Sequence, residues 1–240
     1  FYIFGLYIHN FVFWTHEERA IIADSFIYNQ PYDMASCIAM FTNISATIIF
    51  ITNIEMHFYE KYRNYSEAVI GGKKVDIENA RNRMFRQLST ELMNLVRIQF
   101  IISVVIYLFC VVFLPGLGFG GSVLRIYPCL AAGYFILFLM YAAILFMYYF
   151  NDLTGAVMTA VSFFAATLIG SIFAMSLTEI WYGIGLVIGS LVGWSVAYAR
   201  LRWIEKNLDT HVFCNGRILK RGIGPKPSGL VYRKDCPKIE

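Results

Sequence analysis

The chain has 240 residues, of which 58% are hydrophobic, 17% aromatic and only 15% charged. Soluble domains carry about 25% charged residues, so this composition excludes an ordinary soluble enzyme and points to a membrane protein. The formal net charge of +4 is modest, no nucleic-acid partner is expected, and five cysteines without a CxxC spacing argue against a disulfide framework or a metal site.

A spanning helix needs about 20 mostly apolar residues. Phe1–Trp14 is apolar, has no basic leader and no small-residue cleavage site, and reads as the end of a spanning helix cut at its start. Tyr2, Gly5, His9 and His16 fall at helical spacing within or just beyond it. His9 lies well inside the apolar stretch, with Asn10 beside it. Trp14 and its aromatic neighbours suit a membrane-interface belt. Thr15–Asp33 is then a polar connection.

The next span, Met34–Phe58, is the polar one. Ser36, Met40, Asn43, Thr47 and Phe50 share one helical stripe, continued inward by Asn53 or Ile54 and by His57. Ser45, Thr52 and Glu55 lie on a neighbouring face. A charge deep in a bilayer costs about 2.5–3.5 kcal/mol, less near the interface. Glu55 sits near the inner end, where it either reaches headgroups or pairs with Arg97, or lines an aqueous cavity and handles substrate or a coupling proton. His57 has the same alternatives, with an unperturbed pKa near working pH.

Residues 59–94 form a long basic connection. Phe58, Tyr62, Tyr65 and Val69 recur at helical spacing, as do Ile77, Ala80, Met84, Leu88, Leu92 and Leu95, and Gly71-Gly72 separates the two sets. The pattern predicts an amphipathic helical hairpin whose second helix runs into the next span. It either lies on anionic lipid or docks a cytosolic partner.

Further spans are expected at Leu95–Leu114, Ile126–Phe150, Gly155–Ser176 and Trp181–Arg200. The glycine-rich Gly116–Gly121 is followed by no Lys-Ser/Thr and preceded by no strand, so it is a turn after Pro115 rather than a phosphate loop. Gly185, Gly189 and Gly193 recur every four residues, the spacing for close helix approach in lipid. The tail from residue 201 onward is basic. His211, Cys214 and the distant Cys236 are too few for a zinc site. No catalytic set of residues is recognisable, and no cofactor or enzyme activity is expected.

Of the 20 lysines and arginines, all but Arg19 and Arg125 lie between Lys61 and Arg97 or from Arg200 onward. Basic residues mark the cytoplasmic side. Six alternating crossings put the long connection, the turn at Asn151 and the tail on that side. The expected organisation is a transmembrane bundle over residues 1–200, with a cytoplasmic hairpin at 59–94, and a cytoplasmic tail at 201–240.

The stretches "YIFGLYIHNFVFW" and "YDMASCIAMFTNISATIIFITNIEMHFYEKYRNYSEAVIGG", the glycine-broken hairpin and the four further spans together resemble the Pel exopolysaccharide exporter membrane protein family (PelG), placed in the multidrug/oligosaccharidyl-lipid/polysaccharide flippase superfamily. The most specific part is Tyr32 to Gly72. The resemblance implies an all-α integral membrane protein, with this chain as a six-helix half of a bundle of about twelve spans. It also implies movement of a cationic amino-sugar polymer across the cytoplasmic membrane, with a cytosolic glycosyltransferase and small membrane proteins as partners. On this reading Asn53, Glu55 and His57 shape the inner mouth of a route, His9, Asn43 and Thr47 line its middle, and Asp33 stands at its outer mouth. Asp152 and Glu179 are further carboxylates that could draw a cationic chain. The alternatives are an exporter of lipid-linked oligosaccharide or drugs on the same fold, and a scaffold that anchors a glycosyltransferase.

Overall fold

The computed structural model describes residues 1–16, 19–22, 25–118 and 121–209, without the side chains of Ser45, Asn53, Ile54, Glu55, Leu117 and Asp209. It is mostly helical. Helix α1 is Tyr2–Phe13, α2 Gln30–Asn53, α3 Tyr59–Gly71, α4 Lys74–Phe113, α5 Gly121–Tyr149, α6 Leu153–Ala174 and α7 Ile184–Asp209. Five helical stretches are long and apolar enough to cross a membrane: α2 with its continuation into α3, then α4, α5, α6 and α7. At 22 residues, α6 rises about 33 Å, close to the thickness of a hydrocarbon core.

Helix α5 is the central element, packed against α2, α4 and α7. It buries Tyr134, Phe138, Met140, Phe146 and Met147. Helices α6 and α7 form the most extensive contact in the fold. Their closeness follows from small residues: a Cβ at Gly189 would collide with Thr167, one at Gly185 with Ser171, and one at Gly193 would press on Phe163 of α6 and collide with Met140 of α5. Helix α1 lies mainly against α6, where Gly5 leaves room for the Phe163 ring.

Charged pairs mark both ends of the α5–α7 unit. At one end Asp152 caps α6 by accepting from the Gly155 amide (3.2 Å) and also accepts from Arg200 Nε (2.6 Å) and Nη2 (3.0 Å). The Arg200 guanidinium lies over the Trp203 ring at 4.2 Å. At the other end Arg125 and Glu179 approach to 3.9 Å. Asp152 and Glu179 thus face basic partners within this chain.

Two features depart from the sequence-based expectation. The connection after α1 contains an antiparallel β-hairpin, with Ala20–Ile22 paired to Phe26–Tyr28. The two strands are only three residues each, and alternation over so short a run carries little signal. In addition, α2 passes without a break through a π-helical segment, Ile54–Phe58, into α3. The glycine pair does interrupt the chain: α3 ends at Gly71 and α4 starts at Lys74.

Contact between α4 and the bundle begins well before the apolar run that starts at Leu95. The Phe85 ring stacks on Phe150, with centroids 5.7 Å apart. Met84 and Leu88 are buried on the same helix face, followed by Glu91, Leu95 and Gln99. The basic segment of α4 therefore runs alongside the C-terminal part of α5.

Candidate functional site

The polar residues of the spans gather at two linked places where helices meet. In the first, His9 of α1 is fully buried, and its Nδ1 is 2.8 Å from the Tyr32 hydroxyl. The imidazole meets the Tyr32 and Tyr134 rings edge-on. Ser36 Oγ lies 3.0 Å from the Tyr134 hydroxyl and donates to Asn10 Oδ1 at 3.3 Å. Helices α1, α2 and α5 are tied together by side chains with one or two polar atoms each.

In the second, Asn43 of α2 donates from Nδ2 to the Tyr134 carbonyl (3.2 Å) and accepts from Gln99 Nε2 of α4 (2.6 Å). Gln99 also donates to Thr42 Oγ1 at 3.2 Å. Thr42 and Thr47 return their hydroxyl protons to the carbonyls of Ala39 and Asn43. Tyr134 connects the two places, with its hydroxyl in one and its carbonyl in the other. Interhelical hydrogen bonds of this kind average about 0.6 kcal/mol, reaching about 1.7. They fix register between α2, α4 and α5 more than they add strength.

Gln99 was not among the residues singled out from sequence. A signal for it exists: Met84, Leu88, Glu91, Leu95 and Gln99 step by three or four residues along one face of α4, all buried. Polar groups on a buried stripe require partners, and Gln99 finds them on α2.

The other expected route residues fall elsewhere. Asp33 lies in the first turn of α2 and accepts from Trp14 Nε1 (2.9 Å) and from the Asn29 amide (3.0 Å). Asn29 Oδ1 in turn accepts from the Tyr32 amide at 3.3 Å, so the pair caps α2 and fastens the end of α1 to it. Thr47 is half-buried and His57 is exposed. The side chains of Asn53 and Glu55 lie outside the described residues, as do His211, Cys214 and Cys236. Among the described residues no group of three or more His, Cys, Asp or Glu could hold a metal ion, and Cys37, Cys110 and Cys129 are free thiols.

Five spanning helices, helix interfaces tied by uncharged polar groups and a strongly apolar outer surface define a polytopic helical membrane protein. The chain belongs to the PelG family, described as "Putative exopolysaccharide Exporter (EPS-E)", whose profile matches residues 1–213. The resemblance read from the sequence thus names the right family, which is one of exporters rather than of enzymes. No curated protein and no solved structure matches the chain.

Proposed function

We propose that this chain forms part of the membrane route by which a nascent exopolysaccharide leaves the cytoplasm. The family match over residues 1–213, joined to five spans, carries this reading. The bundle acts in the cytoplasmic membrane as part of a flippase-type assembly of about twelve spans. Helix α3, the start of α4 and the tail at 201–240 face the cytoplasm, where a glycosyltransferase delivers the polymer. The substrate to test first is the cationic amino-sugar polymer of Pel-type systems.

Within this scheme the expected route residues divide by surroundings. Thr47 and His57 border the route, with Asn53 and Glu55 at its inner mouth. His9, Asn43 and Asp33 hold the helices that form its wall, because each is engaged by a neighbouring helix or turn. Movement of a polymer favours weak, repeated contacts over one tight pocket.

The test separates synthesis from export. Cells lacking the protein but retaining the synthase are fractionated, and polymer is measured inside and outside. Loss of external polymer with material retained inside supports a route. Undiminished external polymer would remove the chain from export, and loss of both pools would indicate a scaffold for the synthase.

A further inference from the structure

Helices α4 and α7 both pack on α5 and leave between them a groove of about 230 Å³. Its depth can be read from its neighbours. The turn from α5 into α6 ends two spans, and there Phe150 stacks on Phe85 of α4 and Asp152 holds Arg200 of α7. A turn between spans lies at the border of the hydrocarbon core, because its backbone groups have no partners within lipid. From that level the two helices run into the membrane on either side of the groove. Leu92 lies about 10 Å deeper than Phe85, and Trp194 about 9 Å deeper than Arg200. The inward part of the groove is apolar, lined by Leu88 and Leu92 opposite Trp194. Its border end holds Arg202 and Glu205, with Ser89 and Tyr198 between the two ends.

The charged end is an ion pair with capacity to spare. Arg202 Nη1 donates to Glu205 Oε2 at 2.8 Å, and Arg202 Nε donates to the Tyr198 hydroxyl at 3.2 Å. These contacts engage two of the five N–H groups of the guanidinium, and Glu205 Oε1 has no partner among the described residues. Both side chains are exposed, at 60% and 39%. An exposed ion pair contributes little to stability, so each charge can take a further partner at little cost. The pair is neutral as a whole. A ligand with one charge would meet its like as well as its opposite, whereas a ligand with both signs complements both members. A phosphate and an ammonium at the membrane border, with alkyl chains pointing inward, match the groove from end to end.

We propose that the α4–α7 groove binds one phospholipid with a primary-ammonium headgroup, of the phosphatidylethanolamine kind, which fills the gap between α4 and the rest of the bundle. The phosphate takes the remaining N–H groups of Arg202, and the ammonium donates to Glu205 Oε1. Ser89 offers a hydroxyl to the ester groups, and a chain lies between Leu88, Leu92 and Trp194. A trimethylammonium head has no N–H to donate, and a glycerol head has no positive charge for Glu205. The site is independent of what the bundle exports.

The test is photolabelling of the purified full-length protein in phosphatidylcholine vesicles. The vesicles carry a trace of phosphatidylethanolamine or of phosphatidylglycerol with a diazirine in one chain, and labelled sites are located by peptide mass spectrometry. The ethanolamine probe is expected to label residues 85–92 and 194–201 about tenfold more than the glycerol probe, the worth of one hydrogen bond between charged groups. Glu205→Gln should bring the two probes level, and Arg202→Gln should lower labelling by both. Ser89→Trp, which fills the groove from an exposed position, should remove label there while label around Val157, on the exposed apolar face of α6, persists. Equal labelling of the groove by the two probes would overturn the headgroup assignment, as would a preference that survives Glu205→Gln. Absence of label from the groove, with label present around Val157, would overturn the lipid site and leave the groove to a protein partner. The comparison of probes in the unaltered protein and in Glu205→Gln decides the matter even if Ser89→Trp fails to accumulate.

Discussion

The α6–α7 seam and the α2–α4 contact hold helices together by opposite means. At the seam the backbones approach closely because Gly185, Gly189 and Gly193 of α7 meet Ser171, Thr167 and Phe163 of α6. The stabilisation there is dispersion between well-fitted surfaces, since lipid tails are as apolar as the side chains. At the α2–α4 contact a few hydrogen bonds do the holding, centred on Asn43 and Gln99. The seam is closely packed, which suits a support. The α2–α4 side places polar and charged groups at membrane depth, which suits a surface meeting a hydrophilic cargo.

The sharpest way to break the comparison lies at the end of the seam. Arg200→Met leaves the Asp152 carboxylate, 1% exposed, without its cation. Removing one partner of a buried pair costs about 3–5 kcal/mol, so the protein should accumulate poorly and unfold at lower temperature in detergent. Restored accumulation in Asp152→Asn/Arg200→Met would trace the loss to the stranded charge. Next is Gly189→Leu, which forces α7 away from Thr167. Overfilling of this kind costs about 1–3 kcal/mol, and the melting temperature of the purified protein should fall accordingly.

Gln99→Leu should cost less, about 0.6 kcal/mol and at most about 1.7. A double-mutant cycle with Asn43→Leu should show coupling of that size, and additive effects would mean that the two side chains do not act together. The smallest effect is expected for Trp14→Phe, which keeps the ring and removes the donor to Asp33. It should alter stability by about 0.5 kcal/mol, the lower end for a hydrogen bond that is only partly buried. The readout is faster proteolysis between α1 and α2 with the bundle otherwise intact.

Much of this was legible in the sequence because its causes are local. The long apolar runs locate the spans, the Gly71-Gly72 pair separates α3 from α4, and the four-residue glycine repeat shows where α7 comes close to another helix. The arrangement of polar residues was less legible. Asn43 and His9 stand out as polar groups in apolar runs, yet their partners Tyr134, Gln99 and Tyr32 lie on other helices or far along the chain. The carboxylates of Asp33 and Asp152 look like candidates for binding a cation, and each also accepts a backbone amide at the start of a helix. The depth of α4 was hidden for the same reason. Hydropathy places its entry at Leu95, whereas the stacking of Phe85 on Phe150 places contact with the bundle much earlier.

The most direct measurement is polymer export from energised inverted membrane vesicles carrying Met93→Cys, before and after a bulky maleimide is attached at that position. If a route runs beside α4, synthesis continues while delivery of polymer into the vesicle lumen stops. Unchanged delivery from fully modified protein would contradict the route.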